Sequence, residues 1–280
     1  EHYKYTKSEK FLKDNLKMCE KAIDFLKKYL KDWLNIEGTE ERDKDKVQEE
    51  IENSVNRQGH KYHISYDLWE MNEGIHLYSL ASIYSAFDSI LNIYKALGKN
   101  VSEFENNRLK EEKIQKNKRT IENLQTQLKK YINENLYDEE KKSYVRNTED
   151  RKMDISILGA ITPFNMFKPK EKKIRNTVER INMSLRTYTG GYQRFEQDNY
   201  MNGNPWPIAN LWMTLYYLET GEKKKAKETF DFVVKTAGKH YLLGEQVDNS
   251  TLKPNWVIGL GWSHAMFIIV LEKLYKNNLK

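Results

Sequence analysis

The run NPWPIANLWMTLYYLETGEKKKAKETFDFVVKTA, residues 204–237, decides the fold. Pro205 and Pro207 mark the entry to an apolar helix spanning 207–218, because proline is tolerated only in the first helical turn. Thr220 to Glu222 form a very short connection. A charged amphipathic helix then covers 222–237, with apolar positions three or four residues apart. A polar, aromatic loop precedes the pair, and the same sequence of loop, apolar helix, short turn and charged helix recurs along the chain.

Working outward, the periodicity predicts eight helices. They cover 8–34, 74–97, 102–136, 155–164, 171–185, 207–218, 222–237 and 263–275. The second, fourth, sixth and eighth are apolar and read as buried, while the others carry solvated faces. Connections after the apolar helices are short; the other four are long and rich in acids, aromatics and Gly. If successive helices run antiparallel, every second connection falls at one end, so all four long connections share one rim. The expected fold class is all-α, an α/α toroid with inner and outer rings.

Composition narrows the function. At 280 residues with 31% charged and 39% hydrophobic side chains, the chain suits a globular protein with a solvated surface. No window is long and apolar enough for a membrane helix, and no secretory signal precedes the first helix. Cys19, the sole cysteine, excludes an intrachain disulfide and fits a reducing compartment, so a cytoplasmic location is expected. The formal charge is +6, but Lys and Glu interleave along 107–130 without building a basic stripe, which argues against nucleic acid. Scattered His gives no zinc spacing, and neither a phosphate loop nor a dinucleotide fingerprint is present.

Chemistry concentrates in the long connections. In the first, Asp67, Trp69 and Glu70 precede the second helix; they read either as a proton-donating carboxyl beside a tryptophan, its pKa raised by desolvation, or as an acidic cap with a core Trp. In the third, Asp154 reads as a cap, with Tyr144 and Arg146 nearby. In the fifth, 189–206 is dense with donors, acceptors and rings: it reads either as a ligand loop, in which Arg194 forks toward two sugar hydroxyls, its charge set by Asp198 or Glu196, with Tyr200 and Trp206 beside it, or as a purely structural network. The seventh holds Glu245 with Gln246, Trp256 and Trp262, and His264 reads as a packing residue. Two carboxylates in Trp-rich loops match general acid and base on a glycosidic bond.

The runs 66–70 with Gly74-Ile75-His76, 194–206 ending Asn202-Gly203-Asn204-Pro205-Trp206, and Glu245-Gln246 with Trp262-Ser263-His264-Ala265 occur in this order in one family. The chain resembles the glucoamylases and glucodextranases of glycoside hydrolase family 15, over nearly its whole length. The resemblance implies an (α/α)6 toroid, Glu70 as general acid and Glu245 as general base of an inverting exo-α-glucosidase. It makes Arg194 a substrate-binding residue, Trp69 and Trp262 pocket aromatics, and Asp67 an acid near the proton donor.

An α-glucan or oligosaccharide is then the substrate and β-glucose the product, with no metal and no cofactor. Met71 stands where fungal members carry a second Glu. The eight helices match the last eight of twelve, so residues 1–280 correspond to one catalytic domain's C-terminal two-thirds, without the first helices or a β-sandwich. A missing N-terminal part of the same protein, or a second chain, is expected to cover the open flanks. Tyr29 and Trp33, or side chains of 268–274, should then stand exposed.

The implied geometry puts the Glu70 and Glu245 carboxyls roughly 6.5–9.5 Å apart, with Trp69, Trp262, Arg194 and Tyr200 lining one pocket. Alternatives are a trehalase or α-1,6-glucosidase and, in another class, a non-catalytic sugar-binding or regulatory toroid.

Overall fold

The computed structural model describes residues 2–34, 65–98 and 108–277. Eight α-helices lie in this part: α1 (His2–Thr6), α2 (Glu9–Leu34), α3 (Leu77–Gly98), α4 (Arg108–Asn135), α5 (Lys172–Ser184), α6 (Pro207–Thr220), α7 (Lys223–Lys235) and α8 (Gly261–Lys276). Three two-stranded antiparallel hairpins complete it: β1 (Ser65–Tyr66) with β2 (Glu73–Gly74), β3 (Tyr137–Asp138) with β4 (Ser143–Tyr144), and β5 (Gly244–Val247) with β6 (Pro254–Ile258).

Seven of the eight expected helices form, and their described ends lie within a few residues of those expected; the expected start of the third, at 102, lies outside the described residues. The eighth, expected over 155–164, is a 3-10 helix, Ile155–Ala160, followed by turns. Its cap is Asp154, whose carboxylate accepts from the Ser156 amide at 2.7 Å. Helix α1 is an addition that the apolar pattern did not signal. The second helix begins three residues later than expected because Glu73 and Gly74 pair in the β1–β2 hairpin.

The chain divides into two compact units, Glu1–Ile75 with Ser79–Glu134 and His76–Tyr78 with Asn135–Lys280. In the first, the ends of long polar side chains tie α2, α3 and α4 together. The Tyr94 hydroxyl donates to Glu20 at 3.1 Å, Lys27 Nζ to Asn117 at 3.4 Å and Gln125 Nε2 to the Tyr84 carbonyl at 3.3 Å. The stripe Ile121, Leu124, Leu128 and Ile132 on α4 is fully buried, as its three- and four-residue spacing predicts. Helix α3 buries one face (Leu80, Ala81, Phe87, Ile90, Tyr94), not all sides as its composition suggests.

In the second unit α6 is the hub. Every residue from Pro207 to Leu218 is buried, and the helix packs on α7, α8, β5 and the 3-10 segment. Gly221 (φ 83°) ends it in the left-handed conformation that glycine adopts without strain, and α7 follows at once. A buried hydroxyl pair, Thr214 with Thr229 at 2.8 Å, joins the two helices.

The other apolar helix of this unit, α8, buries only Ser263, Val270 and Leu274. Ile268 (66% exposed), Ile269, Leu271 and Tyr275 stand open to solvent, as do Val257 and Ile258 on β6. Among the described residues, one flank of α8 therefore stands exposed. At the opposite end of the chain Tyr29 is half-buried, and the Trp33 side chain lies outside the described ones.

Candidate active site

The long connections of the second unit meet. The backbone of 194–196 lies along 153–155, the Ile155 amide donating to the Arg194 carbonyl at 2.8 Å and the Glu196 amide to the Met153 carbonyl at 2.9 Å. The Leu77 amide donates to the Arg146 carbonyl at 2.9 Å, and His76 bridges Asn147. The Val247 amide donates to the Pro205 carbonyl at 2.8 Å, which joins β5 to the end of the 189–206 loop. Within this unit, parts of three of the long connections, the third, fifth and seventh, are thus brought together, while the first lies in the other unit.

Arg194 sits at the centre. Its Nε and Nη2 both donate to Asp198, each at 2.8 Å, while Glu196 turns away toward the Met153 amide and Arg180. The alternative left open in the sequence resolves in favour of Asp198, and the fork that was expected to grip two sugar hydroxyls is occupied by this carboxylate. Asp198 itself is buried, its Oδ1 also taking the Tyr200 amide at 3.1 Å. The partners of its carboxylate are the Arg194 guanidinium and the Tyr200 amide. Rings enclose the guanidinium: Trp206 at 4.7 Å, Tyr200 at 4.9 Å and Phe195 at 5.0 Å from their centroids. Trp206 is buried, with the arginine over its ring.

Glu245 lies on β5, half-buried, with Oε2 shielded and lacking a hydrogen-bond partner among the described residues. Burial raises its pKa above the ordinary carboxylate value, and the positive charge of Arg194 acts in the opposite sense. The hairpin register explains its placement. Gly244 pairs with Ile258 but Gln246 with Asn255, so Trp256 and Val257 together face the single residue Glu245. This is a β-bulge, a device that bends a strand and re-aims its side chains. Trp256 takes φ 64° there, stands 54% exposed and meets Tyr200 edge-on at 6.3 Å.

Trp262, half-buried at the start of α8, packs edge-on against Trp212 at 5.7 Å. Its helix is pinned to the β5 strand: Ser263 Oγ donates to the Gly244 carbonyl at 3.2 Å, and the Leu243 amide donates to His264 Nε2 at 3.0 Å. His264 is thus a structural acceptor, as read from sequence.

Sequence reasoning missed the clasp behind Glu245. Asn204 Nδ2 donates to Gln246 Oε1 at 3.2 Å, the Asn249 amide donates to Asn204 Oδ1 at 3.2 Å and Thr189 Oγ1 to Asn249 Oδ1 at 3.0 Å. Its only signal is the density of amides in Asn202-Gly203-Asn204 and Gln246.

In the first unit, the β1–β2 turn carries Glu70. Asp67 organises it, accepting from the amides of Trp69 and Met71 at 3.0 Å each and from Asn72 Nδ2 at 2.7 Å. Asp67 and Trp69 are buried, so they shape the turn from within. Glu70 projects from it, exposed, with φ 56°. The partly desolvated carboxyl expected beside Trp69 is not what this unit provides.

The pattern of glycosyl hydrolases family 15 matches residues 21–242. This chain belongs to glycosyl hydrolase family 15. A protein of Methanocaldococcus jannaschii described as an uncharacterized glycosyl hydrolase is 30% identical over 226 residues, 76% of this chain and 34% of that protein. Trehalase 1 of Sulfolobus acidocaldarius is 26% identical over 134 residues, 47% of this chain and 24% of that one.

Among solved structures, a wild-type glycosidase aligns with TM-score 0.61 at 16% identity over 82% of this chain and 59% of its own. The glucoamylase from Saccharomycopsis fibuligera aligns with TM-score 0.60 at 12% identity over 83% and 61%. The all-α fold is therefore of the glucoamylase (α/α)6 toroid type. The family 15 chain described here spans about a third of the length of the Methanocaldococcus relative and three-fifths of these structures.

Proposed function

We propose that this family 15 hydrolase is an inverting, exo-acting α-glucosidase that releases β-glucose from the non-reducing ends of α-glucans. Glu245 is its general base and Glu70 its general acid. The observation that carries the reading is Glu245 itself: a half-buried carboxylate with an unengaged oxygen, aimed by a bulge and flanked by Arg194. A base of this kind removes a proton from water as the water attacks the anomeric carbon. The proton taken by Glu245 balances the one Glu70 gives to the leaving oxygen, so the glycosidic bond breaks with no net proton consumed. Arg194, fixed by Asp198 and backed by Trp206, offers positive charge toward hydroxyls, while Trp262 offers an apolar ring to a sugar's C–H face.

A second reading, hydrolysis of the α,α-1,1 bond of trehalose, draws on the likeness to the Sulfolobus trehalase; an α-1,6 preference is the remaining variant. Product analysis on maltose, isomaltose, trehalose and starch separates them. In the polypeptide that carries this chain, Glu245→Gln and Glu70→Gln should each lower kcat by about 10²–10⁴-fold while the fold stays intact. Undiminished turnover in either variant removes that residue from its role. Undiminished turnover in both leaves the non-catalytic sugar-binding class as the better description of these residues.

A further inference from the structure

Glu245 has no ladder partner of its own, because the register shifts between Gly244 and Gln246. Its place therefore depends on how the residues either side are held. Beyond it, Gln246 and Val247 pair with Asn255 and Pro254. Before it, the Leu243 carbonyl accepts from the amides of Gly259 at 2.9 Å and Leu260 at 3.3 Å, and the Gly244 carbonyl from Ser263 Oγ at 3.2 Å. None of these donors changes its protonation in ordinary buffers. The remaining tie, from the Leu243 amide to His264 Nε2 at 3.0 Å, is of another kind. An imidazole accepts a hydrogen bond only when neutral, with its proton on the other nitrogen; an imidazolium has two donors and no acceptor. A proton added to His264 therefore sets N–H against N–H. Leu243 is buried, so its amide then loses its partner where water does not replace it, the costly way to lose a hydrogen bond.

The ring shares a cavity with Val234 of α7, Ala237 and Tyr241 of the loop that follows, and Phe267 of its own helix. Tyr241, 86% exposed, is the titratable group in that wall, and the wall holds no carboxylate. Of the elements around it, the end of α7 and the loop carry Asp231, Lys235, Lys239 and His240, the last three exposed. Strand β6 has no titratable side chain and β5 has Glu245 alone. Helix α6, packed on α8, carries Tyr216, Tyr217 and Glu219, and the first charged residue of α8 itself is Glu272.

We infer that His264 is a positioning residue for Glu245: neutral, it anchors the start of the strand that carries the carboxylate, and protonated, it releases it. The inference rests on the reading of Glu245 as general base, and it adds a proton-dependent step that the titration of Glu245 itself does not contain.

The test compares wild type, His264→Gln and His264→Leu in the polypeptide carrying this chain, on whichever of maltose, isomaltose and trehalose is hydrolysed fastest. Gln places an amide oxygen near the position of Nε2 and does not titrate; Leu offers no acceptor. At about pH 8, His264→Leu should lower kcat about tenfold with KM changed less than about twofold, while His264→Gln stays within about twofold of wild type in both. Between about pH 8 and about pH 5, where imidazoles change charge, the ratio of His264→Gln to wild-type kcat should rise about fivefold or more. The hydrogen-exchange protection factor of the Leu243 amide, read by NMR on leucine-labelled protein, should fall over the same range in wild type and hold in His264→Gln. Where His264→Leu fails to fold, the ratio and the protection factor decide alone. A kcat ratio that does not change with pH, His264→Gln as slow as His264→Leu, or Leu243 protection lost with kcat unchanged overturns the inference. Hydrolysis retained in Glu245→Gln sinks the base reading instead, whereas a wild-type protection factor that ignores pH sinks the role of His264 whatever the sugar assay shows.

Discussion

At the residue scale, three charged groups do distinct jobs. The buried Arg194–Asp198 pair is held by two 2.8 Å hydrogen bonds. Removing one partner leaves an uncompensated buried charge, so Arg194→Met should cost about 3–5 kcal/mol in urea unfolding. A loss below about 1 kcal/mol would show that Asp198 finds another partner. Glu245 has a folded pKa raised by burial against the pull of Arg194, so the folded state binds its proton more tightly than the unfolded chain does. The ionised carboxylate therefore costs stability above its folded pKa, and that cost vanishes as pH falls below the unfolded value.

Glu245→Gln should accordingly be the more stable protein at neutral pH, with the two urea midpoints converging near about pH 4. For the same reason the acidic limb of kcat/KM should lie above the ordinary carboxylate range and move higher still in Arg194→Met. An acidic limb that stays put in that variant would separate Arg194 from Glu245. The Asp67 carboxylate accepts three hydrogen bonds around Glu70. Asp67→Ala should lower kcat more than it raises KM, and cost about 1–3 kcal/mol of stability.

At the scale of elements, the loop–helix alternation was readable because helical periodicity and breaker residues act locally. Pro205, Pro207 and Gly221 bracket α6 as its sequence says, and the four-residue stripe of α4 is buried as written. The segment after Asp154 reads equally well as an α-helix, since a run as apolar as Ile155 to Ala160 carries no information on hydrogen-bond pitch. The bulge opposite Glu245 was invisible because its left-handed residue is Trp256, where sequence reasoning looks for Gly or Asn. Arg194 was legible as a candidate residue, but its partner was settled only by which of Glu196 and Asp198 the loop turns inward.

Close packing of that loop gives a prediction of its own. A Cβ on Gly191 would lie 2.5 Å from both the Phe232 ring and Pro205. Gly191→Ala should therefore destabilise by about 1–3 kcal/mol and disturb the loop that carries Arg194. Calorimetric melting within a degree of wild type would show that the Phe232 ring yields.

At the scale of the whole molecule, family membership and the toroid class rest on the match over 21–242 and on the aligned solved structures. Among the exposed apolar groups of the described residues, two stripes run along helices. Phe11, Met18 and Phe25 recur every seven residues on α2, and Ile268, Ile269, Leu271 and Tyr275 lie on α8. Covering roughly 400 Å² of such surface is worth about 10 kcal/mol, comparable with the stability of a typical domain. The 280-residue chain by itself should bind a hydrophobic dye strongly and hydrolyse α-glucans poorly. Ile268→Lys with Leu271→Lys should reduce the dye signal without lowering the melting temperature. A chain that is fully active, with no dye binding, would show these stripes to be ordinary surface.

The central claim is that Glu245 activates water on the face opposite the leaving group. Proton NMR of the glucose first released by the polypeptide carrying this chain, followed faster than mutarotation, tests it most directly. The account predicts the β-anomer first, with α-glucose growing in only at the spontaneous rate; release of the α-anomer first would contradict it.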